Sequence, residues 1–223
     1  MEPSSPESID AGKETFLTHV SVPHETTLKL ERYVELLKEW NEKFNLVAKS
    51  TLPEIWTRHI LDSAQLKNHI PESSETLADI GSGAGFPGIV LSILGVPQVH
   101  LIESTGKKAN FLKTVVEELK LNAVVHHGRA EGIKNLKVDV VTARAVGSLS
   151  ELLKLAKPLL KKDSLCLFLK GKSVDGELAE SRRYLRYKLE RHTSVSDPSG
   201  SILLIRGLAP ATHFYKTSKR NKT

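Results

Sequence analysis

The stretch Thr76–Gly88, TLADIGSGAGFPG, decides the fold. An apolar run ends at Ile80, Gly81, Gly83, Gly85 and Gly88 follow, and IVLSIL then takes helical spacing. That order predicts a strand, a tight turn and a helix start. Glycines suit the turn because they accept positive φ and let a ligand approach the backbone, while the helix N-terminus offers free N–H groups. Pro87 is compatible with the first helical turn, where its missing N–H costs little.

Downstream of the turn, short β-rich runs alternate with amphipathic stretches, the pattern of a parallel sheet covered by helices on both faces. Strands are expected near residues 76–80, 98–103, 123–126, 138–143 and 163–169, with helices between them and a further helix near 175–187. The runs YKLERHTSV and SILLIRG flank the turn-forming Asp197-Pro198-Ser199-Gly200, which predicts a terminal antiparallel hairpin. Upstream, Leu28, Leu30, Val34, Leu36, Leu37, Trp40 and Phe44 recur at helical spacing, and Ile55, Trp56, His59, Ile60 and Leu66 carry a second helical pattern. Residues 24–72 are therefore expected to form a helical cap, and 73–210 the main domain. Residues 1–23, rich in Ser, Pro and Glu, are expected to be a mobile lead-in. Residues 211–223, which hold Lys219, Arg220 and Lys222, are expected to be a disordered basic tail. The fold class is α/β: a Rossmann-like, mostly parallel seven-stranded sheet with an N-terminal helical cap.

A chain of 223 residues with 39% hydrophobic side chains can bury a sizeable core within one domain. No apolar run approaches the roughly 20 residues of a membrane span, and MEPSSPESIDAGKE lacks the basic and apolar regions of a leader, so a soluble, cytoplasmic protein with no membrane partner is expected. The single cysteine, Cys166, lies in the apolar run LCLFL and reads as a buried thiol. His126 and His127 are adjacent and point to opposite faces of a strand, so no metal site is assigned. The net charge of +6 is uneven: residues 150–223 hold 16 Lys and Arg against 7 Asp and Glu, a net of +9, while the first 149 residues sum to −3. That bias favours a polyanionic partner, nucleic acid or a membrane surface, and is expected to reach the cleft rim at the ends of the fourth and fifth strands.

Gly83-Ala84-Gly85-Phe86-Pro87-Gly88 matches the dinucleotide pattern G-x-G-x-x-G, but Asp79 stands at the strand end before the turn. S-adenosylmethionine carries an ammonium and a sulfonium and no pyrophosphate, so a carboxylate there favours it over a dinucleotide. Glu103, 22 residues after Gly81, ends the second strand, where its carboxylate can accept both ribose hydroxyls. Ala130 and Glu131, at the third strand end, are candidates for the adenine edge.

The methyl acceptor is read by elimination. Amine methylation at planar nitrogens often uses an Asn or Asp followed by two prolines, and this chain has no adjacent prolines. Carbon methylation of cytosine needs a thiolate that buried Cys166 is badly placed to supply. Guanine N7 already carries a nucleophilic lone pair and needs alignment rather than a base. Arg144 and Lys170, at the ends of consecutive strands, are the candidate catalytic residues, able to contact guanine or phosphate, and His59 is a candidate substrate contact.

WNEKFNLVA, RHILDS, DIGSGAGFPGI, ESTGKKANFLK, ARAVGSL and LKG occur in this order between Trp40 and Lys172. On these motifs the chain resembles the bacterial glucose-inhibited division protein B family, the 16S rRNA guanine-N7 methyltransferases. The resemblance implies a class I methyltransferase fold and S-adenosylmethionine contacts at Gly81, Phe86, Ala130, Glu131 and Arg144. It further implies methyl transfer to a guanine in the 530 loop of 16S rRNA. Naked rRNA and an assembling small subunit both stay open as the substrate, and no obligate protein partner is expected. The sequence departs from the family at Val47, Ala143 and Val146, and its tail HFYKTSKRNKT lacks a proline-rich segment common among relatives. Two alternatives compete: an NAD-dependent oxidoreductase and a non-catalytic RNA-binding protein that kept the fold. The first is disfavoured by Asp79 and by Tyr33, Tyr184, Tyr187 and Tyr215 all lying outside the turn region; the second predicts a decayed turn, which is not seen.

Overall fold

The computed structural model describes residues 6–211. Seven strands, β1 (Thr76–Ile80), β2 (Gln98–Glu103), β3 (Ala123–His127), β4 (Val138–Arg144), β5 (Leu160–Lys170), β6 (Leu185–Thr193) and β7 (Ser201–Pro210), form one sheet in the order β3-β2-β1-β4-β5-β7-β6. All neighbours pair in parallel except β7, which runs antiparallel to β5 and β6. The expected hairpin is present and closes the sheet's far edge. Central strands are buried on both faces, as their near-continuous apolar sequences require: Leu77 and Val140 face one core, Ala78, Ile80 and Val141 the other.

The first core lies under α1 (Pro6–His19), α2 (His24–Phe44), α4 (Gly88–Ile93) and α5 (Gly106–Glu118). Between α2 and β1 the chain runs through a π-helical turn, Trp56–Leu61, into α3 (Asp62–Ala64) and a 3-10 turn, Gln65–His69. The second core lies under α6 (Leu149–Ala156) and α7 (Val174–Ser181). Ser148 caps α6 through a reciprocal capping box with Glu151.

Three expectations need correction. The described part of the expected mobile lead-in, residues 6–23, is anchored: α1 is helical, and Phe16 is fully buried against Trp56, with ring centroids 5.5 Å apart. One apolar anchor at the right helical position outweighs the polar composition around it. The helix expected over 175–187 ends at Ser181, because Leu185, Tyr187 and Leu189 alternate with exposed residues at the period of a strand and pair with β7. Nor does all of the positive charge gather at the ends of β4 and β5. Arg186 and Lys188 sit near the start of β6, which pairs with the far end of β7, while Lys170 pairs with its beginning. The tail with Lys219, Arg220 and Lys222 lies outside the described residues. No helix among the described residues is long and apolar enough to cross a membrane.

Candidate active site

The carboxyl ends of β1, β2 and β4 converge on the glycine turn. Gly81 and Ser82 donate their N–H groups to the Ile102 carbonyl at 2.9 and 3.1 Å, so the turn is stitched to β2. Glu103 completes the stitch: Oε2 accepts the Gly83 N–H at 2.8 Å and Oε1 the Thr105 N–H at 2.6 Å. From the cap, the fully buried Tyr33 donates its hydroxyl to the Ala84 carbonyl at 2.6 Å. Burial holds the Tyr33 phenol well above its ordinary pKa, so it remains a donor. Although distant in sequence, Tyr33 belongs to the turn.

The glycines divide by role. Gly83, at φ +58°, has open space where a side chain would begin, with nothing nearer than the Gly81 carbonyl at 3.8 Å. Gly85 is packed on its Cβ side: a Cβ there would lie 2.5 Å from Ile89 and 2.8 Å from the Tyr33 hydroxyl. Asp79 is corrected as a cofactor contact. Its side chain is fully buried on the cap side of the sheet, accepting from the Thr142 hydroxyl at 2.9 Å and the Gly88 N–H at 3.2 Å. It pins the start of α4 and lines neither of the two cavities described below, and burial raises its pKa to about 6 despite those hydrogen bonds.

Two cavities flank the segment that follows β4. The smaller, about 180 Å³, is lined by Gly81, Ile102, Ser104, Ala130, Glu131 and Val146 among others. It brings Gly81, Ala130 and Glu131 together, as the resemblance implied, with Glu103 behind the turn. Its apolar wall, Ile80, Ile102 and Leu155, suits the face of an adenine, and the chain's backbone at Arg129–Glu131 is available to its edge. Phe86 is not on this surface. It is 4% exposed, and its ring carries His59 stacked at 4.9 Å and the Arg144 guanidinium at 4.9 Å. Its side chain supports those two groups, which leaves only its backbone for the expected cofactor contact.

The larger cavity, about 800 Å³, opens on the other side of Ala145 and is lined by the cap, the ends of β4 and β5 and the β6–β7 turn. Arg144, Lys170 and His59 all border it, together with Arg58, Glu54, Asp62, Glu177 and Asp197. Arg144 donates to the Arg58 carbonyl at 3.1 Å, to Asp62 Oδ2 at 3.2 Å and to His59 Nδ1 at 2.7 Å. Burial, then the charges of Arg144 and Arg58, push His59 down to about 3, so it is neutral. Three cations thus face four carboxylates, too little positive charge for a phosphate clamp. Lys170 is corrected as a catalytic candidate: its side chain is 8% exposed, ion-paired with Glu177 at 2.6 Å and hydrogen-bonded to the Gly147 carbonyl at 3.0 Å. Its charge is consumed in joining β5 to α7 and the β4–α6 loop.

Asp62, Thr51 and Glu177 were missed from sequence. RHILDS did hold a signal for Asp62, since His59 and Asp62 are three apart and fall on one side of a helical turn. The β6–β7 turn gave none: Ser196 donates to Asp62 Oδ1 at 2.6 Å, 134 residues away in sequence. As expected, Cys166 is buried, its thiol pushed up to about 12.

With this geometry in place, a family model described as rRNA small subunit methyltransferase G matches residues 26–201. The chain belongs to this family. Similar proteins named ribosomal RNA small subunit methyltransferase G include one from Rhodospirillum centenum, 47% identical over 87% of this chain and 90% of its own. A second, from Rhodospirillum rubrum, is 46% identical over 86% of this chain and 96% of its own. Among solved structures, an O-methyltransferase from Bacillus cereus in complex with SAH superposes with a TM-score of 0.57, covering 89% of this chain and all of that one at 14% identity. A SAM-dependent methyltransferase from Aquifex aeolicus gives 0.55 over 76% of this chain at 15% identity. These likenesses establish the methyltransferase fold, and the family leaves no place for the oxidoreductase alternative.

Proposed function

We propose that the protein transfers a methyl group from S-adenosylmethionine to N7 of a guanine in 16S rRNA, with the adenosine end of the cofactor in the smaller cavity and the guanine in the larger one. The observation that carries this reading is the larger cavity itself: it lies across Ala145 from the smaller one, and each titratable side chain lining it already has a partner among the described residues. Glu54 is paired with Arg58, and Asp197 accepts the Ser199 N–H and hydroxyl. The His59 Nδ1 lone pair is taken by Arg144, Asp62 is paired with Arg144, and Glu177 is paired with Lys170. Guanine N7 needs no deprotonation, so such a site suffices for it and not for an exocyclic amine.

When bound, S-adenosylmethionine supplies an electrophilic methyl on a sulfonium; the N7 lone pair forms the new C–N bond as the C–S bond breaks, and no proton moves. The ring gains the positive charge the sulfonium loses. The excess of carboxylates over cations around the cavity favours that charge where it arrives. Glu103 is assigned to the ribose hydroxyls, Ala130 and Glu131 to the adenine edge, and the remaining Arg144 N–H groups to guanine O6, beside N7. The substrate is 16S rRNA, naked or within an assembling small subunit, and the reaction belongs in the cytoplasm.

Radiolabelled S-adenosylmethionine with 16S rRNA from a strain lacking the enzyme, naked or as isolated small subunits, tests this reading. Strand scission specific for 7-methylguanine should locate one modified guanine in the 530 loop. Label at any other atom, or none, rejects it.

A further inference from the structure

The buried polar chain behind Arg144 has a single consistent direction of donation. Arg144 has no acceptor, so its 2.7 Å approach to His59 Nδ1 requires that nitrogen to be unprotonated. The proton of the neutral ring is then on Nε2, which donates to Thr51 Oγ1 at 2.9 Å; the Thr51 hydroxyl in turn donates to the Ala48 carbonyl at 2.8 Å. His59 is 8% exposed and lies face to face with Phe86, its ring plane tilted by 23°, so it cannot rotate without breaking both hydrogen bonds. The same Phe86 ring carries Arg144. Three of the five guanidinium N–H groups go to Arg58, Asp62 and His59, which leaves two for a ligand in the cavity that Arg144 borders.

We propose that His59 is a positioning residue for methyl transfer: locked as the Nε2–H tautomer by Thr51, it fixes the Arg144 guanidinium against Phe86 and so aims its two remaining N–H groups at the substrate base. This rests on the assignment of the larger cavity to guanine. It differs from the sequence expectation, in which His59 itself touches the substrate. The cap enters the chemistry through this chain, because Thr51 and His59 belong to it while Arg144 ends β4.

Two measurements test it. Nitrogen-15 NMR of the wild-type protein should show His59 with a bare Nδ1 and a protonated Nε2, and a protonated Nδ1 overturns the proposal without any variant having to fold. Single-turnover rates at saturating RNA and cofactor give the second. His59→Asn keeps an amide oxygen at the position of Nδ1 and should retain most of the rate. His59→Gln places its amide at the position of Nε2 and should lose roughly tenfold or more, the size of one hydrogen bond to a charged group. In an Arg144→Ala background, His59→Gln should cost nothing further, because its effect passes through Arg144. Equal losses for Asn and Gln, or additive losses in the double variant, overturn the positioning role alone. An Arg144→Ala protein with the full rate overturns the assignment of the cavity as well.

Discussion

Oε2 of Glu103 accepts the backbone N–H of Gly83 at 2.8 Å, so the carboxylate assigned to the ribose is also the one that holds the glycine turn. Binding and folding are therefore coupled at this residue. Glu103→Ala should weaken S-adenosylmethionine binding by roughly 1–3 kcal/mol, through lost charge-assisted ribose bonds and a loosened turn. Glu103→Gln keeps one acceptor for Gly83 and should lose less. Calorimetric affinities for the two variants check this, and unchanged affinity in the alanine variant removes Glu103 from the cofactor site.

Asp79 makes a prediction in pH. Burial raises its pKa from 3.8 to about 6, so the native state holds a proton that the unfolded chain has already released between those values. The sign follows from linkage: this group's contribution to stability is fully present below about pH 4 and is lost as pH rises through 6. Asp79→Asn can still accept from Gly88 and has no such titration. Relative to wild type it should gain stability from pH 4 to pH 7, on the order of 2–3 kcal/mol across the window. Urea unfolding of both proteins at a series of pH values measures it. Parallel curves would mean the buried carboxylate does not titrate in this range.

Lys170 should behave as a structural cation. Burial works against the Glu177 carboxylate, but hydrogen bonds from Lys170, Ser173 and the Leu149 N–H outweigh it and hold its pKa below the ordinary value. Lys170→Met removes the ion-pair partner from a carboxylate that is only 17% exposed and should cost roughly 1–3 kcal/mol of stability. Its methylation rate, measured well below its melting temperature, should fall much less than that of Arg144→Ala. A loss as large as that of Arg144→Ala would return Lys170 to the substrate.

Much of the sheet was legible because burial on both faces leaves few alternatives: VDVVTA and SLCLFL can satisfy neither a helix with one polar face nor a loop. The turn was legible for the same kind of reason, since glycine adopts most readily the φ of +66°, +58° and +102° found at Gly81, Gly83 and Gly85. What each glycine faces was not, because Gly83 and Gly85 differ only in what lies beyond them, and for Gly85 that is Tyr33 from another helix. Asp79 misled for a related reason. Its place at a strand end predicts a residue near the ligand, but strand register aligns it with Thr142 and points it into the core with Leu77. The Arg144 network was least legible, as it joins side chains from the cap, β4 and, through Asp62, the β6–β7 turn.

The last prediction concerns how RNA is attracted, given that the larger cavity carries more carboxylates than cations. A cavity of that sign can take a neutral base but gives little pull on a phosphate backbone, so non-specific affinity has to come from elsewhere on the chain. The tail residues Lys219, Arg220 and Lys222 are the proposed source. If each neutralises one phosphate, deleting residues 212–223 should lower the log–log salt slope of RNA binding by about 0.7 for every phosphate no longer neutralised. RNA affinity should fall at low salt and converge with wild type as salt rises, while cofactor affinity and the modified nucleotide stay the same. Arg144→Ala should do the reverse, leaving the salt slope nearly intact and slowing methylation even at saturating RNA. Filter binding across a salt series, with single-turnover methylation on the same proteins, separates the two. A tail deletion that leaves the slope unchanged would assign the electrostatic attraction to another surface, with Arg186 and Lys188 near the start of β6 the next residues to replace.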